Sequence, residues 1–144
     1  MAEIDPQVLT DRYVAVWNEP DAGRRRTAVR ALWTEHASHV LQAPQDIRRA
    51  AEDLGFASAV LEARGHAELE RRVTRAHEEF VAPGTFAFRS RGNADRLHDV
   101  VKFTWEMVSP NGDLAGVGLE VLLLDPDGRI RADYQFIEDT PSAN

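Results

Sequence analysis

The chain has 144 residues and no cysteine, and its 24 acidic and 17 Lys or Arg side chains leave a formal net charge of −7 at pH 7. These features exclude disulfides, thiolate metal sites and cysteine nucleophiles, and they argue against a nucleic-acid or anionic-membrane surface. Because no signal peptide or membrane-length apolar run occurs, the sequence predicts a soluble cytoplasmic protein, with one domain over residues 1–139 and a short tail, 140–144.

The start of the chain is predicted to form two helices. Asp5 and Pro6 supply an N-cap and a first-turn residue, and apolar side chains then recur at helical spacing as far as Trp17. A second helix is expected over residues 22–33, with apolar side chains on one side and arginines on the other. Both helices would bury their apolar sides against the rest of the domain.

Four further elements are predicted in the middle of the chain. They are a short strand over 36–42, a helix-favouring stretch over 45–63 that is broken at Gly55, a helix over 66–81 and a strand over 85–91. Residues 92–95 then form a turn. The stretch 45–63 would serve as a lid, a pocket wall or a dimer contact, and the sequence leaves these three alternatives open.

Three long strands in a meander are predicted for the end of the chain. The apolar runs 100–108, 114–124 and 130–137 are separated by Pro-Asn-Gly-Asp and Asp-Pro-Asp-Gly, which supply the backbone conformations of tight hairpins. Helices followed by strands indicate an α+β fold, in which a curved antiparallel sheet wraps around the N-terminal helices. Such a cone has an internal pocket suited to a small molecule.

The turn lengths also predict which residues face each other. Trp105 is expected opposite Gly118, Phe103 opposite Glu120, Asp125 opposite Arg129, and Glu120 opposite Tyr134. One face, the predicted interior, carries Val101, Phe103, Trp105, Met107, Gly118, Glu120, Leu122, Leu124, Ile130, Ala132, Tyr134 and Phe136. A carboxyl group in the middle of an apolar face is costly unless it is neutral or paired, so Glu120 is the main candidate for a pocket residue.

Two motifs resemble a known family. Residues 12–21, RYVAVWNEPD, resemble the first-helix motif of the nuclear transport factor 2-like superfamily, and residues 119–130, LEVLLLDPDGRI, resemble its last hairpin. The resemblance is to the branch of SnoaL-like polyketide cyclases and ketosteroid isomerases, and it implies the cone-shaped fold also called cystatin-like. It is less specific for activity, because the superfamily includes isomerases, cyclases, dehydratases, epoxide hydrolases and non-catalytic binders.

The resemblance implies roles for particular residues. In ketosteroid isomerases a first-helix tyrosine and a protonated carboxylic acid form an oxyanion hole, and the matching positions here are Tyr13 and Glu120. The position of the general base falls on Leu41, which cannot accept a proton. His39, two residues away on the same face, and Asp99, near the start of a strand, are the alternative proton carriers.

Each candidate also has a structural interpretation. Tyr13 and His39 would be hydrogen-bonded core residues, Glu120 would bond to Tyr13 or Tyr134, and Asp99 would cap a turn. Five aromatic residues are expected to line the pocket as well as the core: Trp17, Phe103, Trp105, Tyr134 and Phe136. The histidines are scattered and no nucleotide-binding or serine-nucleophile motif occurs, so neither a metal site nor a cofactor is predicted.

Two functions are compatible with these residues. The first is a cofactor-independent acid–base enzyme, an isomerase or cyclase that acts on an apolar carbonyl compound such as a polyketide or steroid-like ring. The second is a non-catalytic module that binds an apolar ligand or a protein partner. A stripe of apolar side chains on the outer sheet face further predicts a homodimer; it consists of Val117, Leu119, Val121 and Leu123.

Overall fold

A computed structural model describes residues 4–43, 45–55 and 60–138. The helices are α1 (Pro6–Asn18), α2 (Ala22–Leu32), α3 (Gln45–Asp53) and α4 (Gly65–Ala76), the last extended by a π-helical turn, His77–Val81. The strands are β1 (Trp33–Gln42), β2 (Val60–Arg64), β3 (Ala87–Ser90), β4 (Asp95–Leu97), β5 (Val100–Val108), β6 (Leu114–Leu124) and β7 (Ile130–Glu138). The predicted tail, 140–144, lies outside the described residues.

The strands form one curved sheet in the order β2-β1-β7-β6-β5-β3, with β4 pairing to β5. Neighbouring strands are antiparallel except β1 and β7, which run parallel. Helices α1, α2 and α4 pack against one another and against the sheet. The predicted α+β architecture is confirmed. The buried core between the layers includes Leu9, Tyr13, Val29, Leu32, Trp33, Leu69, Val73, Phe103, Leu122 and Ile130.

Helix α1 is held at both ends by side chains. The Asp5 carboxylate accepts hydrogen bonds from the backbone N–H groups of Gln7 and Val8, which have no partner within the helix. At the other end, the Asn18 amide accepts from the Phe88 N–H at 2.9 Å and donates to the Phe88 carbonyl at 2.7 Å. The helix is therefore tied to the edge strand β3, which fixes the position of Tyr13 above the sheet.

The middle of the chain differs most from the sequence prediction. The stretch 45–63 is helical only from Gln45 to Asp53, and its end belongs to strand β2, where Leu61 pairs with Leu41 of β1. Local helix propensity is overridden because β1 offers an unpaired strand edge. Residues 56–59 lie outside the described residues.

Five other features of the predicted elements also differ. Strand β1 begins at Trp33 rather than at residue 36, so α2 ends earlier than predicted, and β3 is shorter than the predicted strand 85–91. Strand β4, which pairs with the start of β5, begins at the end of the predicted turn 92–95 and was missed. The predicted helix 66–81 is continuous but changes to a π-helical turn at His77.

Beta-bulges decide the register of the meander. Between β5 and β6, Trp105 faces Gly118 and Phe103 faces Glu120, as predicted. Between β6 and β7, the predicted pairing of Asp125 with Arg129 is found in the turn, but a bulge between Leu123 and Leu124 shifts every later pair by one. Glu120 therefore faces Gln135 instead of Tyr134. Because side chains alternate between the two faces, this shift turns the rest of β7 over.

None of the helices in the described ranges is long and apolar enough to cross a membrane.

Candidate functional site

A cavity of about 520 Å³ lies between the helices and the sheet. Most of its lining is apolar, and the polar groups are few, as is usual for small-molecule pockets. The apolar residues are Val14, Trp17, Leu41, Leu61, Ala76, Phe80, Phe88, Trp105, Met107, Ala115, Gly116, Val117 and Ile137. The polar ones are Tyr13, His39, Gln42, Arg72, Glu120, Gln135 and Glu138.

Glu120 lies on strand β6 in the wall of this cavity and has no solvent-exposed surface. The indole N–H of Trp105 donates to its Oε1 at 2.9 Å, and the hydroxyl of Tyr13 donates to its Oε2 at 3.1 Å. Burial raises the pKa of Glu120 well above its ordinary value, and the neighbouring carboxyl group of Asp133 raises it further. Both effects favour the neutral form of Glu120 over the carboxylate.

Asp133 on β7 is fully buried behind Glu120 and does not line the cavity. Neither of its oxygens accepts a hydrogen bond from a conventional donor among the described residues. Its Oδ1 lies 3.9 Å from Nε2 of His39, and an Asp133 oxygen lies within 4.8 Å of the Glu120 carboxyl group, whose pKa it raises. Because two adjacent buried carboxyl groups repel each other when both are ionised, this pair favours the protonated form of Glu120.

His39 on β1 is buried beside this pair. Its Nδ1 lies 3.0 Å from Nη1 of Arg72, and its Nε2 lies 3.1 Å from Oε1 of Gln135 and 3.8 Å from Oε2 of Glu120. Because a guanidinium group only donates, Nδ1 must accept, and the hydrogen-bond network assigns the proton to Nε2. Burial lowers the pKa of His39, and the charge of Arg72 lowers it as well, against the opposing effect of Asp133.

This arrangement changes the role that His39 can play. If His39 accepted a proton at Nδ1, the new N–H group would point at an N–H donor of Arg72, and the two donors would conflict. Nε2 cannot accept a proton because it already carries one. The predicted role of His39 as a general base is therefore not favoured by the geometry. Neutral His39 instead presents an N–H group beside Glu120, which suits it to polarise a carbonyl oxygen.

The same protonation argues against a metal ion. Among the described residues, the donor atoms of His39, Glu120 and Asp133 lie within 4.8 Å of one another, as they would around a metal ion. However, the His39 nitrogen that faces the carboxyl groups carries a proton, and both oxygens of Glu120 accept hydrogen bonds. The donor set therefore fits a protonated Glu120 better than a bound cation.

The other predicted site residues separate into three groups. Trp17 and Trp105 line the cavity, and the Trp17 ring packs 5.7 Å from that of His39. Phe103 is buried beneath the site, with its ring 5.4 Å from that of Tyr13, and does not line the cavity.

Three predicted site residues lie elsewhere. Tyr134 and Phe136 are 40% and 45% exposed, because the bulge between β6 and β7 turns them to the outer face. Asp99 is exposed and pairs with Arg131 at 3.3 Å, so it cannot reach the cavity. The expectation that these three residues face the pocket is wrong.

Sequence reasoning missed Asp133, Gln135 and Arg72. The first two alternate with Tyr134 along β7, and only the bulge places them inside. Arg72 had a local signal, since it lies three residues after Leu69 and four before Ala76, within the apolar stripe of α4. A charged residue within that stripe either lies at the exposed edge of the apolar side of α4 or has a function inside the cavity.

Comparisons with solved structures are consistent with this architecture. A protein from Agrobacterium tumefaciens, described as a candidate isomerase of the SnoaL-like family, is 26% identical with a TM-score of 0.74, over 93% of this chain and 97% of that one. A candidate polyketide cyclase from Sinorhizobium meliloti is 10% identical with a TM-score of 0.59, over 90% and 94% of the two chains. No protein-family model and no curated protein matches the sequence.

A third similar structure was solved with a small molecule. It is a protein from Catenulispora acidiphila with a ketosteroid isomerase-like fold, in complex with trimethylamine, and it is 13% identical with a TM-score of 0.56, over 92% and 86% of the two chains. The chain has the nuclear transport factor 2-like fold. The resemblance predicted from the two sequence motifs is thereby confirmed at the level of the fold.

In this nuclear transport factor 2-like chain, Gly118 allows Trp105 to reach Glu120. A Cβ atom at Gly118 would overlap the indole ring, whereas one at Gly116 would lie 3.4 Å from the flexible end of Met107. We expect Gly118→Ala to reduce the free energy of unfolding by about 1–3 kcal/mol, because the indole must move and its hydrogen bond breaks. Gly116→Ala is the matched control on the same strand. Equal urea midpoints for the two variants would contradict this account.

The neutral state of Glu120 predicts a pH dependence of stability. Its pKa is raised in the folded state, so the folded protein keeps this proton at pH values where the unfolded chain loses it. The stability that neutral Glu120 contributes is complete below the unfolded pKa and is lost as pH rises towards the folded pKa. Glu120→Gln should therefore gain stability relative to the original protein by about 1.4 kcal/mol per pH unit in that window. Urea unfolding at pH 5, 7 and 9 measures this difference, and a constant difference would show that Glu120 is ionised.

Proposed function

We propose that the protein is a cofactor-independent acid–base enzyme, of isomerase or cyclase type, that acts on an apolar carbonyl compound. The observation that supports this function is the neutral Glu120 in the wall of an apolar cavity, next to the hydroxyl of Tyr13. A buried acid with a raised pKa, at hydrogen-bond distance from a second donor, is typical of sites that handle enols and enolates.

Two neutral donors would bind the substrate oxygen. Burial and the neighbouring carboxyl groups raise the pKa of Tyr13 well above its ordinary value, so its hydroxyl stays protonated. His39 presents its Nε2–H on the same side, 3.8 Å from Glu120. When a carbonyl group replaces Glu120 as the acceptor of the Tyr13 hydroxyl and Gln135 as the acceptor of the His39 N–H group, both donors stabilise the negative charge that develops on its oxygen.

Glu120 would move the proton. In its ionised form Glu120 is a carboxylate with a raised pKa, which makes it an effective base at the carbon next to the carbonyl. It takes a proton from that carbon and returns it to another carbon of the same substrate, as an isomerase requires. These roles exchange those predicted from the sequence, where His39 carried the proton and Glu120 bound the oxygen.

The second candidate function is binding without catalysis. Leu41 occupies the position of the general base in the isomerases that the sequence resembles, and it lines the cavity. A site without a base at that position would hold an apolar ligand by the same contacts. The Catenulispora acidiphila protein, which has the same fold, was solved with a bound small molecule.

Hydrogen exchange distinguishes the two functions without knowledge of the natural substrate. A panel of apolar cyclic ketones, including 2-indanone and 2-tetralone, is incubated with the protein in deuterated buffer, and exchange next to the carbonyl is followed by NMR. We expect exchange faster than in buffer, with a loss of about 100-fold or more in Glu120→Gln and of about 10–1,000-fold in Tyr13→Phe.

The matched control is Glu106→Gln, which removes a carboxylate that lies on the next strand, β5, and pairs with Arg89 and Arg91 away from the cavity. It should exchange at the rate of the original protein. Equal rates in the Glu120→Gln variant would refute the proposed mechanism. Saturable binding of the ketones without any exchange would support the binding module instead.

We also propose that the protein forms a homodimer through the outer face of the sheet. The predicted stripe of Leu119, Val121 and Leu123 is only partly buried, and the exposed rings of Tyr134 and Phe136 stand beside it on β7. Val117, the fourth residue of the predicted stripe, is buried and lines the cavity. An apolar surface of this kind on a sheet face is suited to pairing with a second copy.

We expect sedimentation velocity at micromolar concentration to show a dimer, and Phe136→Glu to convert it to a monomer, because a charge cannot be buried unpaired in the interface. Leu97→Glu, at a residue that is 76% exposed on β4, provides the control and should leave the dimer intact. A monomer in the original protein would reject the dimer and leave the proposed chemistry untouched.

A further inference from the structure

Arg72 is a cation in an apolar cavity. It lies on α4, is partly buried, and is the only Arg or Lys among the described residues that line the cavity. Burial lowers the pKa of its guanidinium group, while nearby acidic groups, Asp133 foremost, oppose this effect. The group remains charged, because an arginine cannot be deprotonated at physiological pH.

The hydrogen bonds of Arg72 use only one end of its guanidinium group. Nη1 lies 3.0 Å from Nδ1 of His39, and donates to the His39 carbonyl at 3.0 Å and the Leu61 carbonyl at 3.4 Å. These contacts hold the group against strands β1 and β2. Among the residues whose side chains the structure describes, which leave out 44–46 and 56–60, none accepts a hydrogen bond from Nε or Nη2, and none has a carboxylate within 4.0 Å of the guanidinium group.

Nε–H and the adjacent Nη2–H form one of the two forks by which arginine binds both oxygens of a carboxylate. We propose that this fork binds a carboxylate of the ligand, so that the substrate is an apolar oxo acid rather than a neutral ketone. The carbonyl group of this ligand follows from the proposed function, on which the inference rests. Its carboxylate group is inferred from Arg72 alone.

The charges around the fork are compatible with an anionic ligand. Glu62 and Glu68 are close enough to influence Arg72, but neither forms an ion pair with it, and Glu62 pairs with Arg64. Asp133 lies behind the cavity wall, and Glu120 is neutral. Glu138 lines the cavity and is exposed, so its charge is screened by solvent.

The position of His39 sets the spacing of the two ligand groups. Its imidazole ring stands between Arg72, 3.0 Å from Nδ1, and Glu120, 3.8 Å from Nε2. A ligand that reaches both the fork and Glu120 must therefore carry its carboxylate and its reacting carbonyl several atoms apart. Its apolar body would lie against aromatic rings such as those of Trp17 and Phe88.

Binding of matched probes tests the carboxylate site. The probes are 2-naphthoate and its neutral analogue 2-naphthamide, and binding is followed by calorimetry or by fluorescence of the tryptophans in the cavity. We expect 2-naphthoate to bind the original protein at least about tenfold more tightly than 2-naphthamide. Equal affinity for the two probes, or no saturable binding of 2-naphthoate at millimolar concentration, would overturn the proposal before any variant is made.

Substitutions then assign the preference to Arg72. Arg72→Met should lose the preference for 2-naphthoate while it retains its affinity for 2-naphthamide, and Arg72→Lys should retain only part of it, because lysine keeps the charge but not the fork. Arg75→Met removes a charge one turn away on the exposed side of α4 and should change neither affinity. An equal loss for both probes in Arg72→Met would mean that Arg72 only supports His39, which would refute the proposal.

The result of this binding test does not depend on whether the protein catalyses a reaction. Hydrogen exchange of neutral ketones without a preference for 2-naphthoate would leave the proposed enzyme in place with an uncharged substrate. A preference for 2-naphthoate without exchange of any ketone would leave a binding protein for apolar acids. The two proposals therefore fail separately.

Discussion

The burial of Glu120 is the constraint on which the site depends. A carboxyl group without solvent contact must be neutral or paired, because the ionised form would lose its hydration without compensation. The neighbours of Glu120 act on that requirement in two ways. Tyr13 and Trp105 donate to its oxygens, and the adjacent carboxyl group of Asp133 favours its neutral form. The four groups come from α1, β5, β6 and β7, so the arrangement exists only when the helix and three strands are packed together.

Small features of the backbone make this packing possible. Gly118 leaves space for the Trp105 indole to cross the face of β6. Asn18 ties the end of α1 to β3 through both its donor and its acceptor, which holds Tyr13 over the sheet. The bulge between β6 and β7 turns Asp133 and Gln135 inwards. Each feature restricts or interrupts the regular structure locally, and each helps to position a polar group of the site.

A second set of contacts joins the acid pair to the cavity. Arg72 holds His39 in the tautomer that carries its proton on Nε2, and the imidazole ring in turn contacts Gln135 and approaches Glu120. The site is thus a row of groups that runs from the Arg72 cation near β2, past a neutral imidazole, to the carboxyl group of Glu120 on β6. A cation at one end and neutral donors at the other suit a ligand with one anionic and one polarisable oxygen group.

The sequence alone determined the fold class, most of the elements and the central residues of the site. Hairpin turn chemistry and alternating apolar residues placed Trp105 opposite Gly118 and identified Glu120 as an inward-facing acid, and the motifs around Tyr13 and Glu120 indicated the superfamily fold. These properties depend on local spacing, which a sequence displays directly. Only the tertiary structure decided the strand at 60–64, because pairing with the edge of β1 overrode helix propensity.

The tertiary structure also decided which side of β7 faces the cavity, because one bulged residue reverses every side chain that follows. For that reason Tyr134 and Phe136 lie on the outer face instead of the predicted interior, and Asp133 and Gln135 lie inside. The protonation of His39 could not be predicted either, since it depends on Arg72, a residue 33 positions away that only the packing of α4 on β1 brings into contact. Local spacing identified Glu120 as an inward-facing acid, whereas long-range packing determined its polar neighbours and therefore its chemistry.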